Sequence, residues 1–180
     1  MEILIVILKI VGLILFADFI TGTVHFLLDQ YGSPETPIIG KYVIDRNARH
    51  HQDPRLIIQN SYFKLTWTSW LLGGIILATC YYFDVLSWEI SFSMIYGANA
   101  NIIHKWAHQT QKENGAFVNF LQKIKFVQSR KHHGWHHKAP FDVNYCILTD
   151  WLNPILDKIR FWEITSRILM IIGLKPISLR

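Results

Sequence analysis

Three long apolar runs, each about the length of a membrane crossing, are separated and followed by polar, basic segments. The first extends from about 3 to 28 and is interrupted by Lys9 and Asp18. The second covers about 63 to 83 and is uncharged after Lys64, and the third covers about 85 to 106 with Glu89 near its start. Each meets the roughly 20 residues that a helix needs to cross about 30 Å of hydrocarbon. The first run is not expected to be a cleaved leader, because Met1-Glu2 carries no basic group and no small-x-small site follows. Elsewhere the pattern is amphipathic and shorter. Residues 32–39 contain Pro34 and Pro37 and read as a turn, and 41–51 as a short helix on the membrane surface with Tyr42, Val43 and Ile44 toward lipid. Residues 109–115 are expected to be a loop, and 116–129 and 162–174 to be surface helices. These elements predict an all-α integral membrane protein: a single domain over 1–180, with about three transmembrane helices and a helical cap made of 29–62 and 107–180.

Charge gives this arrangement a direction. Lys41, Arg46, Arg49, Arg55 and Lys64 lie between or beside the first two runs, the turn around Asp84 has no cation, and everything after the third run is basic. Apart from Lys9, the Lys and Arg residues therefore fall on one side, which the positive-inside rule makes cytoplasmic. The N-terminus is then outside and the C-terminus inside, in a bacterial inner membrane or an endoplasmic-reticulum membrane. Mean hydropathy is only slightly positive, so the cap is a sizeable part of the protein. Cys80 lies in the second run and Cys146 in the cap, on the reducing side, so no disulfide is expected; Cys146 reads as a ligand, a thiol or a small buried residue. No nucleic-acid partner is expected.

The nine histidines all fall in four short stretches at run ends or in the basic segments: His25, His50-His51, His104 with His108, and His132-His133 with His136-His137. The charge count makes no use of them, yet it puts every one on the cytoplasmic side. On a helix, Asp18, Gly22, His25 and Asp29 form one stripe, as do Gly97, Asn101, His104 and His108. Carboxylates and imidazoles near lipid are costly and should face the protein interior. Asp18 and Asp29 fit three roles: ligand, a carboxylate that orients a ligating imidazole, or a structural Asp–His pair. Asn101 fits a supporting or water-holding role. The run at 132–137 gives two i,i+4 pairs, His132 with His136 and His133 with His137. His50 and His51 point about 100° apart, so only one of them is expected to reach a given metal.

Nine histidines exceed one zinc site, and neither HExxH nor ExxH occurs, so the zincin and soluble carboxylate di-iron patterns are both absent. Two iron ions with roughly four or five mainly imidazole ligands each would use eight to ten groups.

The segments Asp18-Phe-Ile-Thr-Gly22-Thr-Val-His25, Gly32-Ser-Pro-Glu-Thr-Pro37, His50-His51-Gln-Asp53-Pro54, Asn101-Ile-Ile-His104-Lys-Trp106-Ala-His108, Arg130-Lys-His132-His133-Gly-Trp-His136-His137, Tyr145-Cys146 and Trp151-Leu-Asn153 resemble the Kua-type lipid desaturase family. That family includes plasmanylethanolamine desaturase and the plastid desaturase acting on palmitate in phosphatidylglycerol, and it is similar to the wider histidine-box membrane desaturases. The resemblance covers about 18 to 162. It implies a di-iron centre on the cytosolic side held by the nine histidines, O₂ as co-substrate, a membrane phospholipid as substrate, and an electron donor such as cytochrome b5 or ferredoxin. The chain departs from the family pattern at Asn60 and Phe141, where histidines often stand, and Pro154 falls one place early. Asn60 is thus a weak or water-mediated ligand at best. The activity implied is O₂-dependent desaturation of a lipid chain, with vinyl-ether formation preferred over the phosphatidylglycerol acyl reaction. Hydroxylation by the same centre is the alternative within redox chemistry. A zinc-dependent membrane hydrolase, a metal transporter and a bis-histidine heme protein are the readings from other classes.

Overall fold

The computed structural model describes residues 1–177, and among these the regular elements are all helices. The first apolar run forms α1 (Glu2–Tyr31) and the second α3 (Tyr62–Tyr82), which begins where Ser61 Oγ accepts the Lys64 amide. These two are long and apolar enough to cross a membrane. Ile3, Leu4 and Ile5 of α1 and Phe63, Leu71 and Ile75 of α3 are turned outward rather than into a core. After α3 the chain reverses at Asp84, a short polar residue that tolerates its left-handed backbone (φ 55°), and the Val85 amide bonds back to the Cys80 carbonyl.

The third predicted crossing is not one continuous helix. It is divided into α4 (Trp88–Ala98) and α5 (Ala100–His108) at Asn99, whose backbone (φ −94°, ψ 7°) leaves the helical region. The Asn99 side chain supplies the reason: its amide donates to the Ile95 carbonyl while its oxygen accepts the Tyr62 hydroxyl, so both compete with the helix ladder. α4 packs between α1 and α3. Lys9 and Glu89, the charges that interrupt two apolar runs, meet each other at 3.2 Å.

The cap is built from shorter pieces. A π-helical turn (Gly40–Ile44) leads into α2 (Asp45–Gln52), and a 3-10 turn (Leu56–Gln59) leads back to α3. Tyr42 is exposed as expected, but Ile44 is buried, because the π turn rotates it inward. The expected loop at 109–115 is instead helical from Gln111. Thr110 and Glu113 form a reciprocal capping box that starts α6 (Gln111–Lys123), which kinks at Gly115, φ 71°. Then follow α7 (Arg130–His136), α8 (Asn153–Lys158) and α9 (Phe161–Ile171), the last close to the helix expected at 162–174.

One irregular segment ties cap to helices. Residues 143–149 cross the face of α1, and buried side chains take up their backbone groups. Asp18 accepts the Leu148 and Thr149 amides at 2.8 and 3.2 Å and the Thr149 hydroxyl at 2.6 Å. Asn153 bonds both the amide and the carbonyl of Cys146, and Gln128 bonds the same carbonyl. Contact with α1 is close enough that a Cβ on Gly22 would stand 2.6 Å from Cys146 Sγ, so only glycine fits there. Cys146 is a free, fully buried thiol, and burial pushes its pKa up, which makes it a packing residue rather than a nucleophile.

Candidate metal centre

The α1 stripe predicted from the sequence divides into two jobs along its length. Asp18 and Gly22 face the 143–149 segment, and one to two turns later His25 and Asp29 face a cluster of imidazoles. α2 adds His50 and His51, α5 adds His104 and His108, and α7 with the residue after it adds His133, His136 and His137. The packing of α5 against α7 and of α2 against α1 brings these four stretches together.

The donors form two neighbouring groups. One holds His50, His104, His108, His133 and His137; the other holds His25, Asp29, His51 and His136. Within each group the donor atoms lie within 4.8 Å of one another. Adjacent residues separate: His50 goes to the first group and His51 to the second, and His137 and His136 divide in the same way. The 100° step between consecutive helical residues thus gives each group one donor from a single turn. The groups touch, with the rings of His51 and His137 stacked at 4.8 Å and those of His25 and His104 5.7 Å apart.

In the mixed group the hydrogen bonds fix the chemistry. His25 Nδ1 lies 3.0 Å from the Tyr145 carbonyl and His136 Nδ1 2.7 Å from the Val143 carbonyl. A carbonyl can only accept, so each Nδ1 donates to it and each Nε2 is the nitrogen turned inward. Those two inner nitrogens face Asp29 Oδ2 at 3.3 and 3.2 Å, and His51 Nε2 lies 3.1 Å from Asp29 Oδ1. Asn47 also donates to Oδ1, whereas Asp29 Oδ2, His25 Nε2 and His136 Nε2 are buried and have no hydrogen-bond partner. A buried carboxylate ringed by imidazole nitrogens needs positive charge among them, which a metal ion or a proton supplies. The second group is crowded in the same sense: His50 and His104 bring their Nε2 atoms to 3.0 Å, and His133 and His137 to 3.1 Å. Two nitrogens each roughly 2.1 Å from one metal ion stand about 3 Å apart at right angles and about 4.2 Å apart when opposite. Both groups therefore fit a metal.

Burial keeps His50, His108 and His133 neutral, and hence able to donate a lone pair. It is the main cause, and neighbouring imidazoles add to it. His50 is pushed down to about 2, His108 to about 3, and His133 lies well below the usual histidine range.

A cavity of about 350 Å³ opens beside the groups, between α1, α3 and α4. His25, His50 and His104 line one end, together with Arg46, Asn60 and Lys64. The wall then becomes apolar down to Phe16, Ile76 and Met94. From Leu28 back to Phe16 on α1, and from Lys64 to Ile76 on α3, it extends about 18 Å along the helices.

Eight of the nine histidines enter the two groups. His132 does not: its Nε2 meets the Asn153 amide at 3.0 Å, on the side of α7 that faces the 143–149 segment. The expected pairing of His132 with His136 is thus replaced by His136 with Asp29. Asn101 donates to the Leu65 carbonyl and Asn60 to the Leu56 carbonyl, and both line the cavity wall. Asp18 is an anchor for the backbone, remote from both groups. Phe141 lays its ring edge-on to His51 at 5.4 Å. Residue patterns alone did not reveal Asn47, Gln128 or the Val143 and Tyr145 carbonyls, because a backbone oxygen leaves no mark in a sequence.

The fold and the site define a helical, histidine-rich protein with two buried donor groups that could hold metal and an apolar cavity leading to them. A family model described as a lipid desaturase domain matches residues 14–178, so the chain belongs to the lipid desaturase family and is an oxidoreductase of that class. It is 36% identical over 170 residues to plasmanylethanolamine desaturase 1 of Mus musculus, covering 88% of this chain and 62% of the mouse protein. It is 34% identical to a probable fatty acid desaturase of Acanthamoeba polyphaga mimivirus, covering 90% of this chain and 82% of the viral one. With plasmanylethanolamine desaturase of Myxococcus xanthus the identity is 32%, over 85% of this chain and 56% of the relative. The chain thus spans little more than half the length of some of these relatives. No solved structure matches.

Proposed function

We propose that this protein is a membrane di-iron desaturase that introduces a double bond into an alkyl or acyl chain of a glycerophospholipid. The whole chain acts as one domain, with α1, α3 and the α4–α5 pair crossing the bilayer, the N-terminus outside and both histidine groups at the cytoplasmic face. The observation that carries this reading is the pair of buried donor groups, each fitted to a cation, standing at one end of an apolar cavity. Iron bound there would supply the reduction of O₂ and the removal of one hydrogen from each of two adjacent carbons, for an overall balance of one O₂, two electrons and two protons consumed and two waters released.

The protein's own part is placement. His25, Asp29, His51 and His136 would hold one ion, His50, His104, His108, His133 and His137 the other, and the Tyr145 and Val143 carbonyls keep two of those rings turned inward. Phe16, Ile20, Leu72 and Ile76 line the part of the cavity that would take the hydrocarbon and exclude water. The donors stand at the same end as the polar mouth, so carbons next to the glycerol meet the site while the rest of the chain fills the shaft. This placement, together with the names of the mouse and bacterial relatives, favours vinyl-ether formation; a headgroup-proximal acyl bond is the second reading. Electrons come from an acidic carrier such as a cytochrome b5 or a ferredoxin, drawn to the basic cap. The test is lipid analysis of a host expressing the wild type or His136→Ala, with metal content measured on the purified proteins. A new unsaturated lipid should appear with the wild type alone, which should carry about two irons per chain. Identical lipid profiles with iron and reductant present would refute the proposal.

A further inference from the structure

The polar end of the cavity carries two cations that neither histidine group uses. Arg46 lies on α2 one turn before His50, and Lys64 lies in the first turn of α3; both line the cavity. Arg46 Nη1 is 3.5 Å from the Lys64 carbonyl, so α2 and α3 set the two charges on one wall. Among the described residues the other cationic side chains close to acids are matched: Lys9 with Glu89, Arg49 with Asp45, Arg55 with Glu113, and Arg160 and Arg167 with Glu163. No such pair includes Arg46 or Lys64, and the cavity lining contains no carboxylate. Lys105, which donates to the Asn60 carbonyl at 2.8 Å, adds positive charge at the same end.

A ligand that fits this wall and this shaft has an anionic head and a long apolar tail, with the head beside the histidines. A carboxylate would be satisfied by the Arg46 fork alone. A phosphate diester presents oxygens to two cations on two different helices, and His50 lines the same cavity. We propose that Arg46 and Lys64 form a phosphate subsite that selects glycerophospholipids over neutral lipids with the same chains. This rests on the lipid desaturase reading above and names the group by which that site recognises its substrate. Arg46 also sits beside Asn47, which holds Asp29, and one turn from His50. Phosphate bound there therefore braces the helix that gives a ligand to each metal group.

The test uses the iron-loaded full chain in neutral detergent micelles. Binding of an ether phospholipid and of the corresponding phosphate-free alkyl-acyl-glycerol, both with brominated chains, is read by quenching of tryptophan fluorescence, because Trp67 lines the cavity. The wild type should prefer the phospholipid by about a hundredfold, about tenfold for each cation. Arg46→Gln and Lys64→Gln should each remove about a factor of ten by weakening the phospholipid only. Arg49→Gln, which removes a charge on the same helix away from the cavity wall, should change nothing. Equal weakening of both lipids, no change in either, or an effect of Arg49→Gln as large as that of Arg46→Gln would overturn the subsite. Displacement by inorganic phosphate alone would assign the wall to a free anion and overturn the lipid assignment, as would equally tight binding of a brominated fatty acid. Iron content of the same samples separates the two proposals. A chain without iron that still prefers phospholipid refutes only the desaturase reading, and a loaded chain without that preference refutes only the subsite.

Discussion

The two donor groups, a few ångströms apart, are built on different principles. The mixed group has four donors, one of them the Asp29 carboxylate, and the outer nitrogens of His25 and His136 are bonded to backbone carbonyls of the 143–149 segment. The all-imidazole group has five donors, but His50 Nδ1, His133 Nδ1 and His137 Nδ1 are buried without a hydrogen-bond partner, whereas His51 Nδ1 is the only such outer nitrogen in the mixed group. One site is wired to the fold through a negative charge and fixed ring orientations; the other relies on number. The difference teaches that one strip of irregular backbone, itself anchored by Asp18, fixes ring orientations in one group and leaves the other to its larger number of donors.

The comparison can be broken most directly at Asp29. Asp29→Asn removes the only carboxylate in either group, so activity should fall by at least about a hundredfold and metal content from about two ions per chain to about one. Elemental analysis and turnover on the same sample check this, and a full complement of metal in the variant would mean that Asp29 is structural. A smaller effect should distinguish two neighbours in sequence. His136→Ala takes its group from four donors to three and His137→Ala takes its group from five to four, so the first should weaken metal binding by about tenfold more than the second, while His132→Ala leaves it unchanged. Competition with a chelator ranks the three, and a reversed order would sink the idea that the mixed group has no donor to spare.

Acid should act on the all-imidazole group. The folded pKa values of His50 and His108, about 2 and about 3, lie below the ordinary 6.5, so between these values the unfolded chain binds more protons than the folded one. Metal-free protein should hold its full stability above about pH 6.5 and lose it as pH falls, by up to about 1.4 kcal/mol per pH unit for each histidine. Thermal unfolding of the chelated protein at several pH values reads this, and stability flat with pH would mean that these rings are open to water. Gly22→Ala should have the smallest effect. Its Cβ would collide with Cys146, so the 143–149 segment must shift at a cost of roughly 1–3 kcal/mol. The mixed group, wired to that segment, should lose more metal affinity than the other. Equal loss from both groups would show that the segment does not favour one over the other.

Much of the site was legible because histidine is expensive to bury and the chain places it at few positions. The HxxxH pair on α5, the i,i+4 pair His133 and His137, and the divergence of His50 and His51 all follow from helical geometry. The same geometry offered His132 with His136 on equal terms, and nothing local excludes it. His132 is drawn instead to Asn153, a partner 21 residues away. Asp18 and Asp29 share a stripe and differ only in what the tertiary structure lays against each: backbone amides against one, imidazoles against the other. Asn99 shows the limit for helices, since a run of apolar residues predicts a crossing but not the side-chain bonds to Ile95 and Tyr62 that divide it.

The sequence by itself determined most of the helices, the stretches in which charges and histidines gather, and the donor types on offer, because each depends on local spacing and residue type. Only the tertiary structure decided the partition into a four-donor and a five-donor group, the ring orientations of His25 and His136, and the joining of the cavity to both. Those depend on carbonyls and side chains that lie far apart in the chain and meet only when α1, α2, α5 and α7 are packed.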